Sequence, residues 1–171
     1  MRWKIPEQSL SQNELALWLH LTNMPGIGPV KGANLLQRYT VYELSGCTGS
    51  QLTGLGWSEQ QIRQWFAFSV EQYQPILDWG SISGHHILPF DHPSYPSLLR
   101  NVAGAPLVLF IAGNIAVTDQ VQLAVVGSRK PTQDGRDAAL QLSRELVQHG
   151  FVITSGLASG IDAISHHTAL H

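Results

Sequence analysis

The chain has 171 residues with a formal net charge of −2 at pH 7, and 43% of them are hydrophobic while only 13% are charged. These numbers predict one folded domain or two small ones and exclude both a disordered tail and a globally basic nucleic-acid coat protein, so any contact with DNA must use a local patch or backbone amides. One cysteine, no signal peptide and no apolar run of about 18 residues exclude a disulfide framework and a membrane span, and predict a soluble cytoplasmic protein.

Apolar side chains at helical spacing run from residue 10 to residue 80. A serine or threonine followed three residues later by glutamate or glutamine is the capping-box pattern of a helix start, and it occurs at Ser11, Thr40 and Ser58. Pro75 is expected to kink the last of these helices. The pattern predicts a small all-helical domain of four or five helices over residues 1–82.

The turn Pro25-Gly26-Ile27-Gly28 joins two of these helices in the manner of a helix-hairpin-helix module. Its amides, together with the N-terminus of the next helix, can hold a DNA phosphate, and Lys31 adds one positive charge. The alternative is a connector packed against the core, in which glycine serves only the backbone conformation. Gly26, Gly28 and Lys31 are therefore candidates for a secondary DNA contact.

Residues 83–171 alternate short apolar runs with helical patterns, and strands are predicted at residues 86–90, 107–111, 121–126 and 151–154. Each of the last two strands is followed by a glycine turn and a helix, an order that predicts a parallel α/β sheet. Such a sheet usually needs more strands than these. We therefore expect residues 83–171 to be the incomplete, N-terminal part of a Rossmann-like domain.

The turn after the third predicted strand is Gly127-Ser128-Arg129-Lys130. Parallel strands deliver their carboxyl ends to the ligand crevice of such a sheet. Gly127 allows a phosphate to approach closely, Ser128 offers a hydroxyl, and Arg129 offers a bidentate fork for a phosphate or a flat face for a base. Lys130 adds a second charge. The alternative is a solvated pair of charges in a loop.

The turn after the fourth strand runs from Ser155 to Gly160 and opens a helix whose free amides favour an anion. The two turns together are expected to form one phosphate-binding crevice, to which this second turn contributes Ser155, Gly156, Ala158 and Gly160. Asp162 either favours the helix dipole or forms a hydrogen bond with a loop. His166 lacks the further clustered ligands that a metal needs, so we predict no metal, no cofactor and no catalytic residue.

At these residues the sequence resembles the DprA/Smf family of DNA-processing proteins. The resemblance lies in the stretches 126–129 and 154–166, in Tyr95-Pro96-Ser97-Leu98-Leu99, and in the helical start, which is similar to the family's sterile-alpha-motif-like extension. It implies an extended Rossmann fold that binds single-stranded DNA in a basic pocket and loads RecA onto it during natural transformation. It also implies a homodimer of the full-length protein. The residues that it assigns to the pocket are Arg129, Gly127, Ser128, Ser155, Gly156 and Gly160.

The leading hypothesis is therefore a DNA-binding module that is not an enzyme. The main alternative is an enzyme that processes nucleoside monophosphates, similar to the lysine-decarboxylase-like Rossmann proteins, although their proline-glycine-glycine turn is not found here. A dinucleotide-dependent enzyme is disfavoured because Gly127-Ser128-Arg129-Lys130 does not continue into the G-x-G-x-x-G spacing. A third hypothesis is a helical interaction module joined to an inert α/β segment.

Overall fold

Residues 10–170 are described by the computed structural model, and the chain divides into two compact units between Ile115 and Ala116. The helices of the first unit are α1 (Gln12–Thr22), α2 (Pro29–Leu36), α3 (Val41–Ser45), α4 (Gly49–Gly54), α5 (Glu59–Phe66), α6 (Gln74–Gly80) and α7 (Ser97–Arg100), with a 3-10 turn at Val70–Tyr73. Its strands are β1 (His85–Pro89) and β2 (Val108–Ala112). After a 3-10 turn at Ile115–Asp119, the second unit contains β3 (Gln122–Ala124), α8 (Gln133–Gln148), β4 (Val152–Thr154) and α9 (Ile161–Leu170).

Side-chain caps determine where several of the short helices begin. Thr40 and Ser58 head complete capping boxes, as the sequence predicts, and Thr48 heads a third box that sequence analysis did not identify. Ser11 caps α1 by accepting a hydrogen bond from the amide of Glu14 at 3.2 Å. These caps satisfy amides that the first turn of a helix leaves without a partner, which stabilises each helix by about 1 kcal/mol.

The prediction that Pro75 kinks a long helix is wrong, because the apolar pattern belongs to two helices. The first, α5, ends at Phe66, and α6 begins only at Gln74 after the 3-10 turn. Pro75 therefore stands in the first turn of α6, where its missing N–H costs no hydrogen bond. Between residues 10 and 80 the chain forms six α-helices, one more than the upper end of the predicted range.

Large apolar side chains around α1 form the core of the first unit. Each such side chain stabilises the fold by roughly 1.5–3 kcal/mol when it is fully buried. The members exposed by no more than 2% include Trp18, Leu19, Leu21, Leu44 and Leu52.

One buried polar side chain, His20, lies inside this core and is 4% exposed. Its Nε2 lies 3.1 Å from the carbonyl oxygen of Gln64 and 3.2 Å from that of Trp65, and its Nδ1 lies 2.8 Å from the hydroxyl of Tyr73. Two carbonyl oxygens can only accept, so Nε2 carries the proton and Nδ1 of the neutral ring accepts from Tyr73. His20 thereby connects α1 to the end of α5 and to the 3-10 turn.

Strands β1 and β2 pair antiparallel, with His86 opposite Ile111 and Leu88 opposite Leu109. Leu88 and Val108 belong to the core cluster of the helical unit, since a two-stranded sheet is marginally stable unless one face packs on something else. By packing, these strands belong with the helices that precede them. The domain boundary at residues 82–83 stays a prediction from sequence.

Strands β3 and β4 pair parallel, with Gln122 opposite Val152 and Ala124 opposite Thr154. Helix α8 connects them, and α9 packs against α8. Ser143 of α8 and Ser165 of α9 are both fully buried. The predicted fold class, a helical region followed by an α/β segment, is confirmed. None of the helices between residues 10 and 170 is long and apolar enough to cross a membrane.

Candidate functional site

Two turns that leave the same end of the parallel strands contain most of the residues that the sequence indicates. The amide of Val125 donates to the carbonyl oxygen of Thr154 at 2.9 Å, and the hydroxyl of Ser155 donates to the carbonyl oxygen of Val125 at 2.6 Å. β3 and β4 therefore end side by side. We call residues 127–130 the first glycine turn and residues 155–160 the second glycine turn.

The two glycine turns contact each other through their main chains. The amide of Ile161, at the start of α9, donates to the carbonyl oxygen of Ser128 at 3.1 Å. Gly160 has φ +87°, and a Cβ there would lie 2.7 Å from the Cα of Arg129 and closer still to the oxygen of Ser128. A Cβ on Gly127 would lie 2.6 Å from Cγ1 of Ile161. Only glycine allows this approach at either position, and the structure brings Gly127, Ser128 and Arg129 together with Gly160.

The first glycine turn is open to solvent over all four residues. Between residues 10 and 170, the amides of Gly127, Ser128 and Arg129 donate no hydrogen bond to another group of the chain, whereas the amide of Lys130 donates to the hydroxyl of Ser128 at 3.1 Å. Arg129 and Lys130 have no carboxylate within 4.0 Å in the same part of the chain. Free amides next to unpaired cations form a site at which an anion such as phosphate can bind.

The second glycine turn is different, because a carboxylate already occupies two of its amides. Asp162, which is 8% exposed, accepts hydrogen bonds from the amide of Gly156 at 3.1 Å and from that of Ala158 at 3.4 Å. Of the two roles considered for Asp162, the hydrogen bond with a loop is the one observed. A phosphate contact by Gly156 or Ala158 stays a prediction, and it would have to use atoms other than these amides.

Leu157 lies between these two amides in a conformation that leucine rarely adopts. Its φ is 55°, in the left-handed region, where a residue with a Cβ is destabilised by roughly 1–2 kcal/mol. The side chain is nevertheless 82% exposed. Sequence reasoning did not single out this residue, because nothing in a leucine's identity indicates a positive φ.

The hairpin turn, residues 25–28, is tied to another helix of the first unit. The side-chain amide of Gln61, near the start of α5, donates to the carbonyl oxygen of Pro25 at 2.6 Å. Gly26 and Gly28 are exposed, while Lys31 is half-buried and Ile27 is 2% exposed. This packing favours the connector interpretation of the turn, and a secondary DNA contact at Gly26, Gly28 and Lys31 stays a prediction.

The titratable groups with shifted pKa values all belong to the first unit among the described residues. Burial lowers the pKa of His20 and of His92 below the ordinary 6.5, and burial raises the pKa of Asp91 above 3.8. Within residues 10–170 no three histidine, cysteine, aspartate or glutamate side chains are grouped as a metal site requires. The shifted groups therefore all belong to the unit that does not contain the glycine turns.

Comparison with known proteins gives consistent matches along the chain. A family model described as the SMF/DprA SAM domain matches residues 12–78, and one described as DNA recombination-mediator protein A matches residues 86–171. The chain is 35% identical to Protein Smf of Escherichia coli over 120 residues, which cover 70% of the chain and 32% of that protein. It is 30% identical to Protein Smf of Synechocystis over 170 residues, which cover 94% of the chain and 42% of that protein.

The X-ray structure of DNA processing protein A from Streptococcus pneumoniae is similar in fold, with a TM-score of 0.61 and 24% sequence identity. The match covers 95% of this chain and 55% of that one. Relative to the two Smf proteins, the chain spans about a third to two fifths of their length.

Proposed function

Because the chain belongs to the DprA/Smf family of DNA recombination-mediator proteins, we propose that it binds single-stranded DNA by holding phosphates against the first glycine turn. The observation that supports this most directly is the set of unpaired polar groups in that turn. Within residues 10–170, the amides of residues 127–129 have no hydrogen-bond acceptor, and the exposed cations Arg129 and Lys130 have no carboxylate within 4.0 Å. A phosphodiester chain provides the anions that such a turn can bind.

The chemistry of the turn favours binding that tolerates many sequences. Its amides, its hydroxyl and its cations suit phosphate oxygens, which carry no direct information about the bases. The net charge of −2 means that attraction must come from this local group and not from the surface as a whole. We therefore expect affinity to fall steeply as salt rises.

The Smf relatives that this chain matches are longer than it is, and our proposal extends to a protein of their length. On the family resemblance, we propose that the protein loads RecA onto the bound strand during DNA uptake, acts as a homodimer in the cytoplasm, and performs no chemistry of its own. Arg129 is then a binding residue, together with Ser128, Lys130 and the main chain of Gly127. From the second turn, Ser155 and Gly160 shape the site. Ser155 donates to the carbonyl oxygen of Val125, and the main chain of Gly160 lies against that of Ser128 and Arg129.

The proposal is tested by fluorescence anisotropy of labelled oligo-dT with the full-length protein at two salt concentrations. Arg129→Ala is expected to weaken binding roughly tenfold and to reduce the salt dependence by about one phosphate contact. Arg144→Ala is the matched control, since Arg144 is an exposed arginine of α8 without a carboxylate partner in the described part of the chain.

Unchanged affinity in Arg129→Ala would contradict the role of the first glycine turn. Absence of any binding by the full-length protein would contradict the function itself. Release of free base from nucleoside monophosphates would support the enzymatic alternative instead, and chromatography of the mixture detects it directly.

A further inference from the structure

We propose that Leu157 is a nucleobase contact, and that the second glycine turn presents its side chain to a base of the strand whose phosphates lie on the first glycine turn. The inference rests on the proposed function. It adds a contact to the base, the part of the nucleotide that the first glycine turn does not bind. It gives the second turn a ligand different from the phosphate expected from its sequence.

The backbone conformation of Leu157 is the first observation. An 82% exposed leucine gains little from packing, and at φ 55° its backbone is strained. Other exposed leucines of the same unit, such as Leu142 and Leu170, lie on regular helices, where exposure carries no strain. Strain that brings no packing in return is typical of residues whose role is to contact a ligand.

The second observation is that this conformation is fixed on both sides. The amides that flank Leu157, those of Gly156 and Ala158, both donate to Asp162. The hydroxyl of Ser155 then donates to the carbonyl oxygen of Val125, directly after β3, and the main chain of Gly160 lies against that of Ser128 and Arg129 in the first glycine turn. Asp162 is accordingly a positioning residue: it holds the turn in shape and does not touch the ligand.

The third observation is the charge of Asp162. A carboxylate bound to two of the turn's amides makes this turn a poor place for a phosphate, because like charges repel. The neutral part of a nucleotide, its base, has no such penalty. The bases of a single strand expose apolar faces to water, and covering one with an aliphatic side chain removes apolar area irrespective of the base type.

The test compares two probes on the full-length protein: labelled oligo-dT and an oligonucleotide of equal length in which every base is replaced by an abasic site. The variants are Leu157→Gly and Leu157→Asn, because both residues adopt a positive φ readily and so keep the turn. We expect each variant to bind oligo-dT roughly three- to tenfold more weakly and the abasic probe with unchanged affinity. Leu170→Ala, which truncates an equally exposed leucine, is expected to change neither.

Three results would overturn the inference. If both variants bind oligo-dT as tightly as the wild type while Arg129→Ala does not, the base contact is wrong and the proposed function stands. If both variants lose affinity for the two probes equally and unfold at lower temperature, Leu157 is a packing residue in the whole protein. If the wild type binds neither probe, the proposed function fails and the base contact fails with it.

Discussion

Each unit has a glycine turn that precedes a helix, and sequence analysis assigned a possible DNA contact to both. In the first unit, the hairpin turn is held by the side chain of Gln61 and is followed by the half-buried Lys31. In the second unit, the first glycine turn has three amides without a partner in the described part of the chain, and the exposed cations Arg129 and Lys130. Glycine in a turn thus permits either packing or binding, and the partners of the surrounding polar groups distinguish the two.

The largest loss of stability is expected where an added Cβ would clash with main-chain atoms. Gly26 and Gly160 both have positive φ, but a Cβ on Gly26 would meet only the end of the Gln61 side chain at 3.3 Å, whereas one on Gly160 would meet the main chain of Ser128 and Arg129. Gly160→Ala is therefore expected to destabilise its unit by roughly 3 kcal/mol or more, against about 1 kcal/mol for Gly26→Ala.

Hydrogen exchange of peptides covering residues 122–162 and 15–35 measures the two effects separately. Equal destabilisation by the two substitutions would mean that the main chains of the two glycine turns separate at little cost, and that the contact between them does not define the site.

A smaller effect is expected at the residue that holds the hairpin turn. Gln61 accepts from the amide of Ser58 at 2.8 Å in the capping box and donates to Pro25 at 2.6 Å. Gln61→Ala loses both bonds and is expected to cost roughly 1–2 kcal/mol, while Gln61→Glu keeps the cap but turns a buried carboxylate oxygen towards the carbonyl oxygen of Pro25, so it is expected to cost at least as much. Gln60→Ala, at an exposed neighbouring position, is the control.

Tryptophan fluorescence during urea unfolding measures these changes, because all five tryptophans precede residue 80. DNA affinity is expected to stay unchanged in both Gln61 variants. A loss of affinity as large as that of Arg129→Ala would show that the hairpin turn takes part in DNA binding, as we propose for the first glycine turn.

Acid is expected to weaken the first unit through His20. Burial lowers the pKa of this ring in the folded state, so folding favours the neutral form. The stability is fully present above the unfolded pKa, near 6.5, and is lost as pH falls from there towards the lower folded pKa. His20→Gln, which keeps a donor and an acceptor but does not titrate, is expected to be less stable at pH 8 and less dependent on pH.

The wild type and His20→Gln are compared by urea unfolding at several pH values between 5 and 8. A spacing of about one pH unit between measurements is enough to follow a single titration. Burial also lowers the pKa of His92, which contributes in the same direction, so the difference between the two proteins isolates His20. Parallel pH curves would exclude His20 as the source of acid sensitivity.

The smallest effect is expected from Lys31→Ala. If the hairpin turn is a packed connector, removing this half-buried lysine changes the affinity for oligo-dT by about twofold or less, since a single charge that does not contact a phosphate adds little at moderate salt. An effect comparable to that of Arg129→Ala, measured by the same anisotropy titration, would instead support a second DNA contact at Gly26, Gly28 and Lys31.

Local patterns predicted much of the fold. The capping boxes at Thr40 and Ser58 and the strand at residues 151–154 depend on residues within one segment, and each is found close to where the sequence places it. The packing of β1 and β2 with the helices was not predictable in the same way. An apolar strand indicates that one face is buried, but it does not indicate which partner covers that face.

The candidate site, too, was predictable only where a short stretch of sequence is sufficient. The residue types at 127–130 indicate an anion site without reference to other segments. The hydrogen bonds of Asp162 to the amides of Gly156 and Ala158, by contrast, depend on the path of the turn, and the left-handed Leu157 follows from that path. Gln61 reaches Pro25 across 36 positions, a contact that no local pattern contains.

The hydrogen bonds of Asp162 have a consequence for the kinetics of binding. If DNA binds at the glycine turns as proposed, a turn in which two amides are already held loses little conformational entropy when the strand docks. Its association rate is then set by diffusion and by the attraction of Arg129 and Lys130 for phosphate, with no slow ordering step. In a stopped-flow experiment the observed rate would rise linearly with protein concentration, and differences between variants of the second turn would be found in the rate of dissociation.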